Sequence, residues 1–268
     1  MSHSRRIRTL SVVVLLAVLA SGARLVLAAE PEPAESAGAL ARGDEAYAHG
    51  DLRAAAAAYD QAFRETPDRL TALCRLVRAE SEMAEDSSGD AQQRLFASAV
   101  QHARDAVAAA PDSAVGHVWL AVALGRQALH EGPKTRLALS REIKSEVDRG
   151  IAIDPSIGRA YHVRASWNRA IASLSFIERT AANALLGGVP KGASMENAVA
   201  DFEKAVQLEP EYVNHRLELG RTYHLMHRDD DARRELEKCI ALPPVSSARD
   251  ARYQTEARQL LAHLPRKS

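Results

Sequence analysis

The chain has 268 residues, of which 46% are hydrophobic, only 4% aromatic and 26% charged, enough for one large domain or a short repeat array. Lysine plus arginine number 35, as do aspartate plus glutamate, so the formal net charge is zero; no basic excess is present to track phosphates, which excludes generic nucleic-acid binding. Alanine replaces the missing aromatics, in stretches such as 54–58 and 106–110, and its high helix propensity, with no sustained apolar–polar alternation, excludes a β fold in favour of packed helices.

From the N-terminus, Arg5, Arg6 and Arg8 precede an apolar run from Leu10 to Ala20, and small residues follow at Ser21-Gly22-Ala23 and Val26-Leu27-Ala28-Ala29. Residues 1–29 therefore read as a secretory signal peptide, cleaved after Ala23 or Ala28. The apolar run is shorter than the ~20 residues of a membrane span; reading through Arg24 lengthens it, which gives an uncleaved N-terminal membrane anchor as the alternative. Export to the periplasm or the exterior is the expectation. Residues 30–35, with Pro31 and Pro33, read as a linker, 36–264 as a helical repeat domain and 265–268 as a tail.

The next segments repeat. Gly43, Gly50, Ala55, Tyr59, Ala62 and Pro67 match the eighth, fifteenth, twentieth, twenty-fourth, twenty-seventh and thirty-second positions of the tetratricopeptide pattern. Ala99, Ala106 and Pro111 form a weaker copy, and Pro155 closes a more degenerate one. Ala198, Phe202, Ala205 and Pro210 give the second helix of another. Leu219, Gly220, Tyr223, Ala232, Leu236, Cys239 and Pro244 form the last clear copy. Small residues at the eighth and twentieth positions let paired helices touch, and proline stops the second helix. The expected fold is all-α: a tetratricopeptide-like solenoid of about five hairpins plus a C-terminal capping helix. Helices are expected at 36–49, 51–65, 68–85, 89–109, 113–130, 133–152, 157–186, 194–208, 212–227, 229–241 and 247–263. Asp51, Ser113, Ser194 and Asp229 are expected N-caps, and Gly187-Gly188 a left-handed helix end.

Two stretches depart from a plain repeat. One runs from Trp119-Leu120-Ala121-Val122-Ala123-Leu124-Gly125 through His130-Glu131-Gly132 to Pro155. The other is Ala172-Ser173-Leu174-Ser175-Phe176-Ile177-Glu178, then Ala181 to Gly187, Pro190 and Ala193. With Trp167 ahead of the Ala-Ser-Leu-Ser motif, and Ala198, Phe202, Ala205, Leu208 and Pro210 after it, residues 40–264 resemble the regulator of microtubule dynamics family. Ala165-Ser166-Trp167 stands where Gly-Arg-Trp would be expected. The resemblance implies the helical-repeat fold and an adaptor-like role. Family members of animals are linked to microtubules and organelle membranes, but the N-terminus here reads as a bacterial export signal, so microtubule binding is not carried over.

A continuous helix over 157–186 overshoots a repeat helix by ~15 residues, about 22 Å, with Leu174, Ile177, Ala181 and Leu185 on one face. That face is expected to pack on the neighbouring hairpin. The alternative is that it leans across the concave surface and closes an apolar pocket lined by Trp119, Trp167, Leu174, Phe176, Ile177 and Leu185. Partner-binding candidates on the concave face are Arg78, Glu82, Asn214, Arg221 and His224. Asp44 stands where a peptide-carboxylate clamp would need a cation, so that clamp is absent. His224 and His227 before Asp229, Asp230 and Asp231 read as a helix end and a cap, with no metal site. Glu80-Ser81-Glu82 and Glu85-Asp86 read as a solvated face. Cys74 and Cys239 are too far apart in sequence to meet and are expected as buried thiols. The sequence carries no GxSxG elbow, phosphate-binding glycine loop or HExxH. No catalytic function and no cofactor are expected. The expected function is a scaffold binding a protein or peptide partner on its concave face; the alternative is a carrier of a lipid or other apolar ligand beside residues 172–187.

Overall fold

In the computed structural model, residues 33–65, 69–244 and 249–265 are described. The readings of residues 1–32 and of Pro67 fall outside them. The described chain forms twelve helices: α1 (Pro33–Ala48), α2 (Leu52–Glu65), α3 (Arg69–Glu85), α4 (Gly89–Ala109), α5 (Ala114–Ala128), α6 (Pro133–Ile153), α7 (Gly158–Ala172), α8 (Phe176–Leu185), α9 (Met195–Leu208), α10 (Val213–Leu225), α11 (Asp229–Ala241) and α12 (Asp250–His263). They pair as α1/α2, α3/α4, α5/α6, α7/α9 and α10/α11, each pair packing on the next, with α12 against α10 and α11. This is the expected all-α solenoid of five hairpins and a capping helix.

The repeat positions act as their chemistry requires. A Cβ on Gly220 would stand 2.8 Å from Leu236 Cγ and 3.3 Å from the Ala232 carbonyl oxygen, so α10 and α11 touch where the eighth and twentieth positions meet. Gly150 lies equally close to Val118, at 2.8 Å. The core is continuous along the array. One apolar cluster joins α3 to α7 around Leu73, Val118, Leu124, Val147 and Trp167, and another joins α9 to α12 around Phe202, Leu217 and Leu236. Burying such side chains is the main force holding stacked hairpins together.

The N-caps follow the sequence at three of the four expected places. Asp51 accepts from Ala54 N at 2.9 Å, Ser113 from Gly116 N and Ser194 from Asn197 N. Asp229 is instead the first helical residue of α11, and its carboxylate bonds His224 Nδ1 at 2.6 Å. Gly187 and Gly188 have φ of 75° and 88°, the left-handed conformation expected of them. Cys74 and Cys239 are buried thiols, not joined in a disulfide.

Three expectations are corrected. The helix over 157–186 is broken at residues 173–175, because Ser175 leaves the helix to cap α8. Its side chain accepts from Glu178 N, and Glu178 accepts from Ser175 N at 2.8 Å, a reciprocal capping box. The face of Leu174, Ile177, Ala181 and Leu185 does not pack as one: Leu174 lies against the core, while Ile177 and Leu185 are 77% and 78% exposed. Glu80, Ser81 and Glu82 are buried, and for the two glutamates α1, α4 and α12 supply partners. Glu80 takes Ser98 Oγ and His102 Nδ1, each at 2.8 Å. Glu82 takes the Tyr47 hydroxyl at 2.8 Å.

Candidate functional site

Curvature of the array leaves a half-enclosed cavity of about 880 Å³ on the concave side, walled by α3, α5, α6, α7, α8, α10 and α12. Its apolar wall comes from α5 to α8: Trp119, Val122, Ile143, Trp167, Leu174 and Ile177. The two tryptophans are fixed in place. Trp167 is buried and donates from Nε1 to the Ser140 carbonyl at 2.8 Å. Trp119 carries the Arg159 guanidinium over its ring, 4.9 Å from the centroid. Short α8 forms one rim. It is tied down by Arg179, which reaches back to the Ile171, Ala172 and Leu174 carbonyls at 2.7, 3.1 and 3.1 Å, and by Arg141, which bonds the Leu186 and Gly188 carbonyls at 3.1 and 2.7 Å.

The remaining wall is charged, with arginines that are mostly engaged. Arg169 pairs with Glu218 and donates to Thr222 Oγ1 at 3.0 Å. Arg221 bridges Glu218 and Glu256 at 3.2 and 3.1 Å, and Arg126 lies 3.3 Å from Glu85. Arg159 differs. Its guanidinium lies between the Trp119 and Tyr212 rings, 5.0 Å from the second, and makes no ion pair among the described residues. Aromatic faces stabilise a guanidinium while leaving its N–H donors free in the ring plane. The cavity thus joins an apolar chamber to a cation ready for an anionic or carbonyl oxygen.

Behind Arg159 lies a buried polar relay. The Glu209 carboxylate accepts from Arg159 N at 3.0 Å and bonds His215 Nε2 at 3.2 Å. His215 Nδ1 lies 2.9 Å from His162 Nδ1. With His215 Nε2–H donated to Glu209, its Nδ1 is the acceptor and His162 Nδ1–H the donor. Burial, then the neighbouring His215 and arginines, holds the His162 pKa well below the ordinary histidine value; burial also lowers that of His215 despite Glu209. Both rings are neutral near pH ~7. Burial alone would raise the Glu209 pKa, but the His215 bond and the Arg159 charge outweigh it and lower it.

Of the residues singled out from sequence, Arg78, Glu82, Asn214 and Arg221 line this cavity beside Trp119, Trp167, Leu174 and Ile177. His224 is not among them; it sits at the α10–α11 turn, paired with Asp229. Phe176 and Leu185 are 84% and 78% exposed on α8, outside the cavity lining. They were placed in the pocket by assuming an unbroken helix, and the break at Ser175 rotates them away. Sequence reasoning missed Arg159, Tyr212, Tyr253 and the arginines of α12, because their arrival at one cavity depends on the superhelix rather than on any local motif. Among the described residues no group of histidine, cysteine and carboxylate side chains could hold a metal.

Comparison with known proteins agrees with this architecture. The chain is 29% identical over 196 residues to "Regulator of microtubule dynamics protein 1" of Caenorhabditis elegans, covering 73% of this chain and 84% of that one. It is 28% identical over 190 residues to "Regulator of microtubule dynamics protein 3" of Rattus norvegicus, covering 70% of this chain but only 40% of that longer protein. A solved structure of a thermophilic TPR protein from Thermus thermophilus superposes with a TM-score of 0.61 at 21% identity, covering 82% of this chain and 98% of the other. That likeness shows the tetratricopeptide fold. The family described as "Regulator of microtubule dynamics protein 1-3" matches residues 39–265, which is nearly all of the folded array, and the chain belongs to that family.

Proposed function

We propose that the chain is a non-catalytic interaction scaffold whose concave cavity receives a segment of a partner protein. The carrying observation is the cavity itself: an apolar chamber between Trp119 and Trp167, continuous with Arg159, whose guanidinium lies between two aromatic rings and makes no ion pair among the described residues. Such a site suits an apolar side chain followed by a polar or acidic group, with the tryptophans as anchors and Arg159 setting orientation. A photo-crosslinking residue at Val122, in the cavity, and another at exposed Glu237 test the reading in the native host. A protein captured from Val122 and not from Glu237, and lost in Trp119→Ala, is the expected result. Equal capture from both positions refutes it.

A second reading is favoured by the cavity's size and enclosure. About 880 Å³ bounded by α8 and α12 lies within the ~300–1,000 Å³ typical of small-molecule sites, and would hold a lipid chain or other apolar ligand. Native mass spectrometry separates the two, since only a carrier is isolated with a stoichiometric small molecule. Residues 1–29 are proposed as an export signal that places the scaffold outside the cytoplasm. A mature protein beginning near Arg24 or Ala29 is the expected result, and an N-terminus at Met1 would overturn it.

A further inference from the structure

The C-terminal end of the array meets its second hairpin. Arg249, at the start of α12, reaches the end of α3, 167 residues away along the chain. It donates from Nη2 to the Glu82 carbonyl at 2.5 Å and lies 3.0 Å from the Glu85 carboxylate and 2.9 Å from that of Asp86. Arg252, one turn on, lies 3.3 Å from Asp86 and the same distance from Glu256. The acidic side is rigidly held. Gln92 braces the α3–α4 turn by donating to the Ala84 and Ser87 carbonyls at 3.0 and 2.9 Å, and Tyr47 of α1 pins Glu82.

This junction differs from every other in the array. Each neighbouring pair of hairpins shares an apolar cluster, whereas no apolar cluster contains described residues of both α3 and α12. The apolar residues of α12 pack on α9, α10 and α11, and those of α3 pack on α1, α2, α4 and α5. Among the described residues, charges and hydrogen bonds close the ring here with no shared apolar cluster. Arg249, Arg252, Glu82 and Glu85 also line the cavity, so the seam is part of its wall.

We propose that the α3–α12 seam is an electrostatic clasp that opens and closes the ring, and with it one side of the cavity wall. A stack of hairpins flexes as a sum of small rotations between neighbours, so releasing a side-chain contact between the second hairpin and α12 widens the opening without breaking any core. Apolar seams resist ions; this one does not. The outer pair of Asp86 and Arg252 is 57% exposed on each side, and the screening distance for exposed charges falls from ~30 Å at 0.01 M salt to ~3 Å at 1 M. The inner Arg249 is buried and keeps the closed state favoured at moderate salt. What passes through the opened seam rests on the function proposed above; the clasp itself does not.

Spin labels at exposed Gln93 of α4 and Gln259 of α12, each replaced by cysteine, read the separation across the seam; the native Cys74 and Cys239 are buried. Pulsed electron paramagnetic resonance should give a single short separation at low salt. In Arg252→Asp, which sets a carboxylate against Asp86, it should shift to a longer and broader distribution. Arg252→Lys, which keeps a positive charge opposite Asp86 and leaves the Arg249–Asp86 pair untouched, should hold the short value. Both sites are exposed, so the fold survives these changes, as far-ultraviolet circular dichroism would verify. An unchanged separation in Arg252→Asp overturns the proposal. So does an equal lengthening in Arg252→Lys, because the opening would then not stem from the charge facing Asp86.

Discussion

One chemical change, glycine to alanine, should have opposite effects at two helical sites. Alanine relieves the backbone entropy of a helical glycine and gains ~1 kcal/mol where nothing opposes it. Gly125 in α5 is such a site, since a Cβ there meets nothing within 4 Å. At Gly220 in α10 the same methyl would lie 2.8 Å from Leu236 Cγ and 3.3 Å from a backbone oxygen of α11. Leu236 is completely buried, inside the cluster with Phe202, Leu217 and Tyr223, and cannot swing clear. The helices must part instead, at an overpacking cost of ~1–3 kcal/mol. Subtracting the same propensity gain leaves Gly220→Ala destabilised by ~1 kcal/mol, so the two variants should differ by ~2 kcal/mol. Urea unfolding by circular dichroism measures both. Leu236→Ala should cost less in the Gly220→Ala background than alone, since the smaller residue removes the clash. If Gly220→Ala is as stable as Gly125→Ala, α10 and α11 do not touch as described, and the structural role of the eighth repeat position is refuted.

Below pH ~6.5 the protein should lose stability, because the unfolded chain protonates His162 and His215 while the folded state, whose values are lowered, resists until pH falls further. His162→Gln should flatten that acid limb in urea midpoints, and an unchanged limb would mean another group causes it. His102 acts with the opposite sign: its bond to Glu80 raises its pKa, so its contribution is full below ~6.5 and disappears as pH rises through the folded value. His102→Asn should therefore steepen the acid loss, and a flatter limb would count against the Glu80 bond. Trp167→Phe removes the donor to the Ser140 carbonyl and leaves a void, and should cost ~1–3 kcal/mol in global unfolding; a neutral result would show that this tryptophan is not seated as described. Ser175→Ala removes half of the capping box and should weaken α8 locally by ~1 kcal/mol. Hydrogen exchange should then accelerate in α8 alone, and acceleration spread over α7 and α9 would mean the three helices are one cooperative unit.

Sequence alone gave access to the features that depend on fixed spacing. Gly43, Gly150, Gly220 and the prolines after each second helix mark helix contacts and helix ends locally, which is why the hairpin count and most boundaries could be read. The capping box of Ser175 and Glu178 was also present as a local signature, but the apolar spacing of Leu174, Ile177 and Ala181 ran across it and suggested one long helix. That error carried Phe176 and Leu185 into the pocket. The burial of Glu80 and Glu82 could not be read, because charged residues on a helix look solvated until a partner helix supplies Tyr47, His102 or Arg249. Ring closure leaves no local mark at all, since it follows from curvature summed over four hairpins.

Helix α8 enters between the two members of a hairpin without disturbing their pairing: α7 and α9 pack as closely as any other pair, and Ala182 is the one buried residue of α8. It is fastened mainly by guanidinium groups of Arg179 and Arg141 on backbone carbonyls, rather than by side chains in the core. An element attached in this way can change length, composition or presence while the array beneath stays intact. The rim of the cavity can therefore be reshaped separately from the solenoid, without disturbing the frame beneath it.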